Sequence, residues 1–225
     1  MTSTLTFLLP LALAVAVSPV AVYGVIRMTL AAPVSMAPDW GFLAGWIVGA
    51  TAVVALVAVF AALVTGQLTG TGYSVVAGLL LLALGGLAWN LALRRWRARP
   101  RPGEPARWPS WVEGAGDADP AKAVGLGFAL AALDLKNLTL GAAAGVFLAL
   151  TRLSLGASVV AVLVFVLLAS AALLVVTVGF RVARRQVEAP LARLAAGLEL
   201  NLGGVESVAL LVAGGMLVGA GIAAF

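Results

Sequence analysis

Six stretches of this chain, near residues 5–28, 40–64, 71–93, 122–151, 156–180 and 203–225, are apolar for long enough to cross a lipid bilayer, which takes roughly 20 residues of helix. In hydrocarbon every backbone N–H and C=O must be bonded within the protein, so stretches of this length are helices. With 63% hydrophobic residues and 10% charged, the chain departs from soluble domains, where about a quarter of residues are charged. The expected fold is an all-α integral membrane protein with six transmembrane helices.

The charges are placed unevenly. Alternating the six stretches puts the loops near 28–40, 94–121 and 181–202 on one side, and twelve basic residues with them. The opposite side holds only Arg152, while Lys136 falls inside a span. By the positive-inside rule the three loops face the cytoplasm and both termini face outward. The net charge of +5 therefore orients the chain and meets anionic lipid, and no nucleic-acid partner is expected. The chain has no cysteine and no histidine. Disulfides, thiolate or imidazole metal sites and imidazole proton shuttles are excluded, and no cofactor is expected. "AVA" at 14–16 matches a signal-cleavage pattern. The preceding "MTSTLTF" lacks positive charge, however, and the apolar run is long for a signal peptide, so the segment reads as a retained helix.

Residues 1–97 and 122–225 each carry three spans, separated by a Pro-rich cytoplasmic linker at 98–121. Halves with an odd number of spans cross in opposite directions, the inverted-repeat arrangement of many secondary transporters. Both halves open on a span with a polar interruption at similar depth: Ser18-Pro19 in the first and Asp134-Leu135 in the fourth. Pro19 lacks a helical donor and crowds the preceding turn. Asp134 and Asn137 can hydrogen-bond the backbone in non-helical geometry. Paired interruptions of this kind point to a transporter's binding site. Trp96, Trp108 and Trp111 read as interfacial anchors. Val187, Leu191, Leu194 and Leu198 recur at helical spacing, with Pro190 suited to a first turn, predicting a short interfacial helix near 187–200.

Ionisable residues at depth are costly, about 2.5–3.5 kcal/mol each on insertion scales, so Asp134 and Lys136 call for an explanation. One reading is a structural ion pair between helices; the other is a substrate site made by Ser18, Pro19, Asp134, Lys136 and Asn137. In that site Lys136 attracts an anionic group, Asn137 orients it, and Asp134 neutralises the lysine or carries a proton. Arg27, Asp39 and Glu206 fall near the inner boundary, as snorkelling charges or as gating and coupling residues. "GWIVG" at 45–49, "GAAAG" at 141–145 and "GMLVG" at 215–219 match the small-xxx-small packing pattern, which suits close helix contacts and a homodimer. No nucleophile–base set, metal cluster or phosphate-cradling loop is present, so no enzyme activity is expected.

The order "ALAVAVSPVAVYGVIRM", "FLAGWIVGA", "GLLLLALGGLAWNLALRRWRARP", "ARWPSWVE", "LDLKNLTL" and "LAAGLELNLGG" resembles the GAP/Sap family, the glycopeptidolipid- and sulfolipid-addressing proteins of actinobacteria, within the LysE-type exporter superfamily. The resemblance covers nearly the whole chain. It is most specific at Ser18-Pro19, Gly45-Trp46, Trp111 and Lys136-Asn137. Related sequences commonly carry an Asn-Pro-Lys-Asn run where this one has Asp134-Leu135-Lys136-Asn137. The resemblance implies a LysE-like fold in the bacterial plasma membrane and a role in moving lipid or glycolipid across it. The leading expectation is a flippase-like secondary transporter for a lipid or glycolipid cargo with an anionic headgroup. Two alternatives stand beside it: an exporter of small amino acids or cations, and a non-transporting scaffold that holds a lipid-synthesis partner at its cytoplasmic loop.

Overall fold

The computed structural model describes residues 2–31, 37–66, 70–99 and 109–225. Trp108 and the basic, Pro-rich run at 100–108 lie outside the described residues. Helices α1 (Thr2–Ala16), α2 (Pro19–Ala31), α3 (Ala37–Thr65), α4 (Gly70–Arg97), α5 (Ser110–Glu113), α6 (Pro120–Ala132), α7 (Leu135–Leu150), α8 (Leu155–Ala169) and α9 (Ala171–Ile222) account for most of them, with a single 3-10 turn at Ala115–Asp117. No strand occurs among the described residues.

Pro38–Thr65, Val75–Arg97 and Gly203–Ile222 are each long and apolar enough to cross a membrane alone. Three further pairs reach that length together but are bent: α1 with α2 by 54°, α6 with α7 by 62°, and α8 with the first part of α9 by 60°. Counting each bent pair as one span gives up to six crossings. Leu56, Leu155, Val175 and Val182 are at least 70% exposed, which a water-soluble protein would avoid and a hydrocarbon surround accepts. The chain is a multi-pass membrane protein.

Lipid supplies no hydrophobic drive between helices, so close backbone approach at small residues holds them together. A Cβ on Gly45 would overlap the Val124 carbonyl, and one on Gly127 the Phe42 carbonyl. Gly49 meets Phe128, Gly141 meets Val53, and Gly145 meets Val54 and Ala58. These pairs rise together in number, so α3 runs parallel to both α6 and α7. Against α4 the partners run the other way: Gly78 meets Gly221, Gly85 meets Gly214, and the Arg95 carbonyl meets Gly203. The last part of α9 is therefore antiparallel to α4. Two of the three small-xxx-small stretches are thus used inside the chain, while Gly215 and Gly219 have open space where a Cβ would stand.

Three regions differ from their sequence reading. The bend at Ser170 has no proline or glycine to announce it. Its amide still bonds Val166, and its carbonyl still accepts from Leu174. Because α8 packs on α1 and the following α9 on α2, the pair follows the bend of its neighbours. The short interfacial helix expected near 187–200 is no separate element; it lies within α9, and Pro190 is internal. A proline there forfeits one backbone bond, and the Ala-, Leu- and Arg-rich flanks favour helix. Finally, part of the 98–121 stretch is folded. The Trp111 ring sits where a Cβ on Gly24 would be, at 2.8 Å, and stacks on Phe42 with ring centroids 6.4 Å apart.

Candidate functional site

The break between α1 and α2 leaves carbonyls without helical donors. The Val17 amide bonds Leu13 and the Ser18 amide bonds Ala16. Pro19 has no N–H to offer, and Ser18 accepts from the Val22 amide to start α2. The carbonyls of Ala14 and Val17 are left over, and Lys136 takes both: its Nζ donates to Val17 at 2.8 Å and to Ala14 at 3.3 Å. A cation is electrostatically favoured at the end of α1, where the helix dipole is negative.

Lys136 is delivered by the second break. Asp134 leaves helical geometry (φ −64°, ψ 125°) and becomes the N-cap of α7. Its Oδ1 accepts from the amides of Lys136 at 3.1 Å and Asn137 at 3.2 Å. Asn137 Nδ2 then donates to the Leu130 carbonyl at 2.9 Å, tying α7 back to α6. An Asp cap of this type is worth about 1 kcal/mol, and it fixes where the lysine leaves the helix.

A chain of four charges closes the site. Lys136 Nζ lies 3.6 Å from Glu206 Oε1, Arg95 Nε lies 3.3 Å from Glu206 Oε2, and Arg95 Nη2 lies 3.4 Å from Asp134 Oδ2. Two cations balance two anions across α4, α7 and α9, with the α1 break as a fifth partner. The network has a sealed end and an open end. The side chains of Lys136 and Glu206 are 1% and 4% exposed, whereas those of Arg95 and Asp134 are 39% and 23% exposed.

Lys136 thus reaches the break that holds Ser18-Pro19, and Asp134 and Asn137 shape its own break, with contacts that differ from the sequence reading. Lys136 directs its three donors at two carbonyls and a carboxylate, so it is sealed rather than presented to a ligand. Asp134 does not pair with Lys136 directly; it caps α7 and holds Arg95. The first free amides of α7 are covered by that same carboxylate. Asn137 Oδ1 is buried with no hydrogen-bond partner among the described residues. Glu206, read as a boundary residue, is the direct counter-ion of Lys136. Arg27 is exposed on α2. Asp39 is buried in the first turn of α3, beside Thr29 and Arg181. Both lie outside the four-charge chain.

In the sequence Arg95 stands only among the orienting cations. The signal that marks it is helical spacing. Leu84, Ala88, Leu91 and Arg95 share one face of α4, and Ala88 and Leu91 are buried. Glu206 likewise continues the stripe of Leu210, Ala213 and Leu217, all buried. A charge at the end of a buried stripe points inward, unlike its neighbours Arg94 and Arg97.

The family model for Sap, sulfolipid-1-addressing protein, matches residues 8–223. The chain belongs to the Sap family. No curated protein and no solved structure matches it. Membership ties this Sap-family protein to lipid export or addressing. The residues that carry the resemblance have physical roles here: Pro19 opens α2, Gly45 admits α6, Trp46 is fully buried, and Trp111 fills the notch at Gly24. The departure at 134–135 is also accounted for. Asp replaces Asn as an equally good N-cap, and Leu135 takes the N1 position that proline favours but does not need. The break in this Sap-family chain forms with leucine, not proline, at 135.

Proposed function

We propose that this Sap-family protein is a flippase-like secondary transporter that moves a lipid or glycolipid with an anionic headgroup across the bacterial plasma membrane. In this reading it has six spans, arranged as two inverted halves in the manner of LysE-type exporters, with both termini outside. Packing partners support the inversion: α3 lies on the α6–α7 pair as α8–α9 lies on the α1–α2 pair, and α4 faces the last part of α9. The observation that carries the transport reading is the meeting of two helix breaks, α1–α2 and α6–α7, at one charge network. Such a junction can rearrange at its exposed end, because Asp134 and Glu206 each have a partner besides Arg95.

An apolar groove favours lipid over a small polar solute. A space of about 390 Å³ between α3, α4 and α7 is lined by apolar side chains such as Phe60, Ala61, Leu84, Leu87 and Val146. Phe60 and Leu87, on its lips, are exposed to the membrane face. This wall suits hydrocarbon, and its α4 and α7 are the helices that also carry Arg95 and Lys136.

The test is reconstitution of the purified chain in phosphatidylcholine vesicles with fluorophore-labelled phosphatidylglycerol, bleached from outside. Bleaching beyond the outer-leaflet fraction, relative to protein-free vesicles, is the expected result. Lysine or cation flux without lipid movement would instead establish the small-solute exporter. No flux of either kind would support a scaffold for a lipid-synthesis partner.

A further inference from the structure

We propose that Arg95, rather than Lys136, makes the first contact with the anionic headgroup, accepting a tetrahedral phosphate or sulfate ester in exchange for its two carboxylate partners. This rests on the lipid-transport reading and names the recognition residue within it. Arg95 is the accessible cation of the network at 39% exposure, while Lys136 is at 1%.

Arg95 is also the member that can leave at least cost. Its contacts to Asp134 and Glu206, 3.4 and 3.3 Å, are longer than the about 2.7–2.9 Å of a well-formed charge-assisted bond. Each carboxylate has a second partner. Asp134 Oδ1 keeps the α7 amides, and Glu206 Oε1 keeps Lys136. Release of Arg95 therefore strands neither acid. No such exchange is open to Lys136, whose departure would orphan two carbonyls and leave buried Glu206 to Arg95 alone.

Guanidinium chemistry matches the ligand. Its planar fork binds two oxygens of a phosphate or sulfate at once, which an ammonium does not. At present Arg95 divides its donors between two acids on different helices, so a single oxyanion could satisfy both donors. The backbone around it is held in place, since Gly203 abuts the Arg95 carbonyl and the Arg99 Cβ, and Arg99 stacks on Trp96 at 3.8 Å. An anion at Arg95 would repel Asp134 and Glu206, so binding draws the guanidinium away and releases the side-chain ties from α4 to these two acids. Headgroup recognition and opening are then one event.

The full chain in phosphatidylcholine nanodiscs would be titrated with labelled phosphatidylglycerol and labelled phosphatidylcholine, with inorganic sulfate as competitor. The native chain should prefer the anionic lipid. Arg95→Gln should lose roughly tenfold or more of that preference, the effect of removing a charged hydrogen-bonding partner. Arg95→Lys, which keeps the charge and so guards against misfolding, should fall between. An undiminished preference in either folded variant overturns the proposal. Competition by sulfate as effective as by lipid also overturns it, in favour of a soluble oxyanion site. Vesicle transport separates the two readings. Phosphatidylglycerol movement unaffected by Arg95→Gln removes this proposal and leaves the transporter; Arg95-dependent binding without movement does the reverse.

Discussion

Replacing Lys136 by Met should destabilise the folded chain by about 3–5 kcal/mol, and adding Glu206→Leu should recover about half of that loss without restoring lipid movement. The single change leaves a buried carboxylate beside Arg95 with one partner fewer, and it orphans the carbonyls of Ala14 and Val17. Polar contacts between helices in membranes average only about 0.6 kcal/mol. Three acceptors lose one donor group here, however, and one of them is charged, so the larger figure applies. The double variant removes the stranded acid and keeps the Arg95–Asp134 contact. The two carbonyls stay unpaired, hence the partial recovery. Unfolding in detergent measures the stability, and the vesicle assay measures transport. Buried ion pairs are often replaceable by apolar residues when they serve structure alone. A stable double variant that moved lipid at the native rate would make this network a structural staple.

The second large effect lies at the α3–α6 seam. Gly45→Val should cost about 3 kcal/mol, because its side chain has nowhere to go but into the Val124 carbonyl, and backbone cannot yield as a flexible side chain can. Gly215→Val is the matched control: it belongs to the same kind of motif but has open space where its Cβ would stand. Its stability should stay within about 0.5 kcal/mol of the native chain. The seam matters to the site because α3 spans the whole α6–α7 break and fixes the angle at which Lys136 is offered to α1. Melting temperatures of the two variants in one detergent decide the matter. Equal losses would mean that close glycine contact does not set this packing.

Much of the site was legible because its causes are local. Pro19 removes a donor wherever it sits, and Asp134 and Asn137 can bond backbone in non-helical geometry, so both breaks could be placed from residue chemistry. Their meeting could be inferred from matched depth. What the sequence concealed was partnership. Arg95 and Glu206 look like boundary charges along the chain, and only the buried stripes above and below them turn them inward. The bend at Ser170 had no local cause, since α8 and α9 follow the shape of the bent pair beneath them. Likewise, Trp111 in a Pro- and Gly-rich stretch resembles an interfacial anchor until Gly24 is seen to provide its notch. Tertiary contact decided each of these.

The chain has no cysteine, so a single introduced thiol can report whether the junction opens. Ser18→Cys, at a position 5% exposed, would be compared with Ala143→Cys, at a position fully buried in α7. Both chains would be placed in vesicles and treated with a water-soluble maleimide, with and without phosphatidylglycerol. Labelling at position 18 faster than at 143, and accelerated by the anionic lipid, is the expected result for a junction that opens as headgroups bind. Labelling at 18 that is as slow as at 143, whatever the lipid, would mean the two breaks are locked together, and the transport reading would fall.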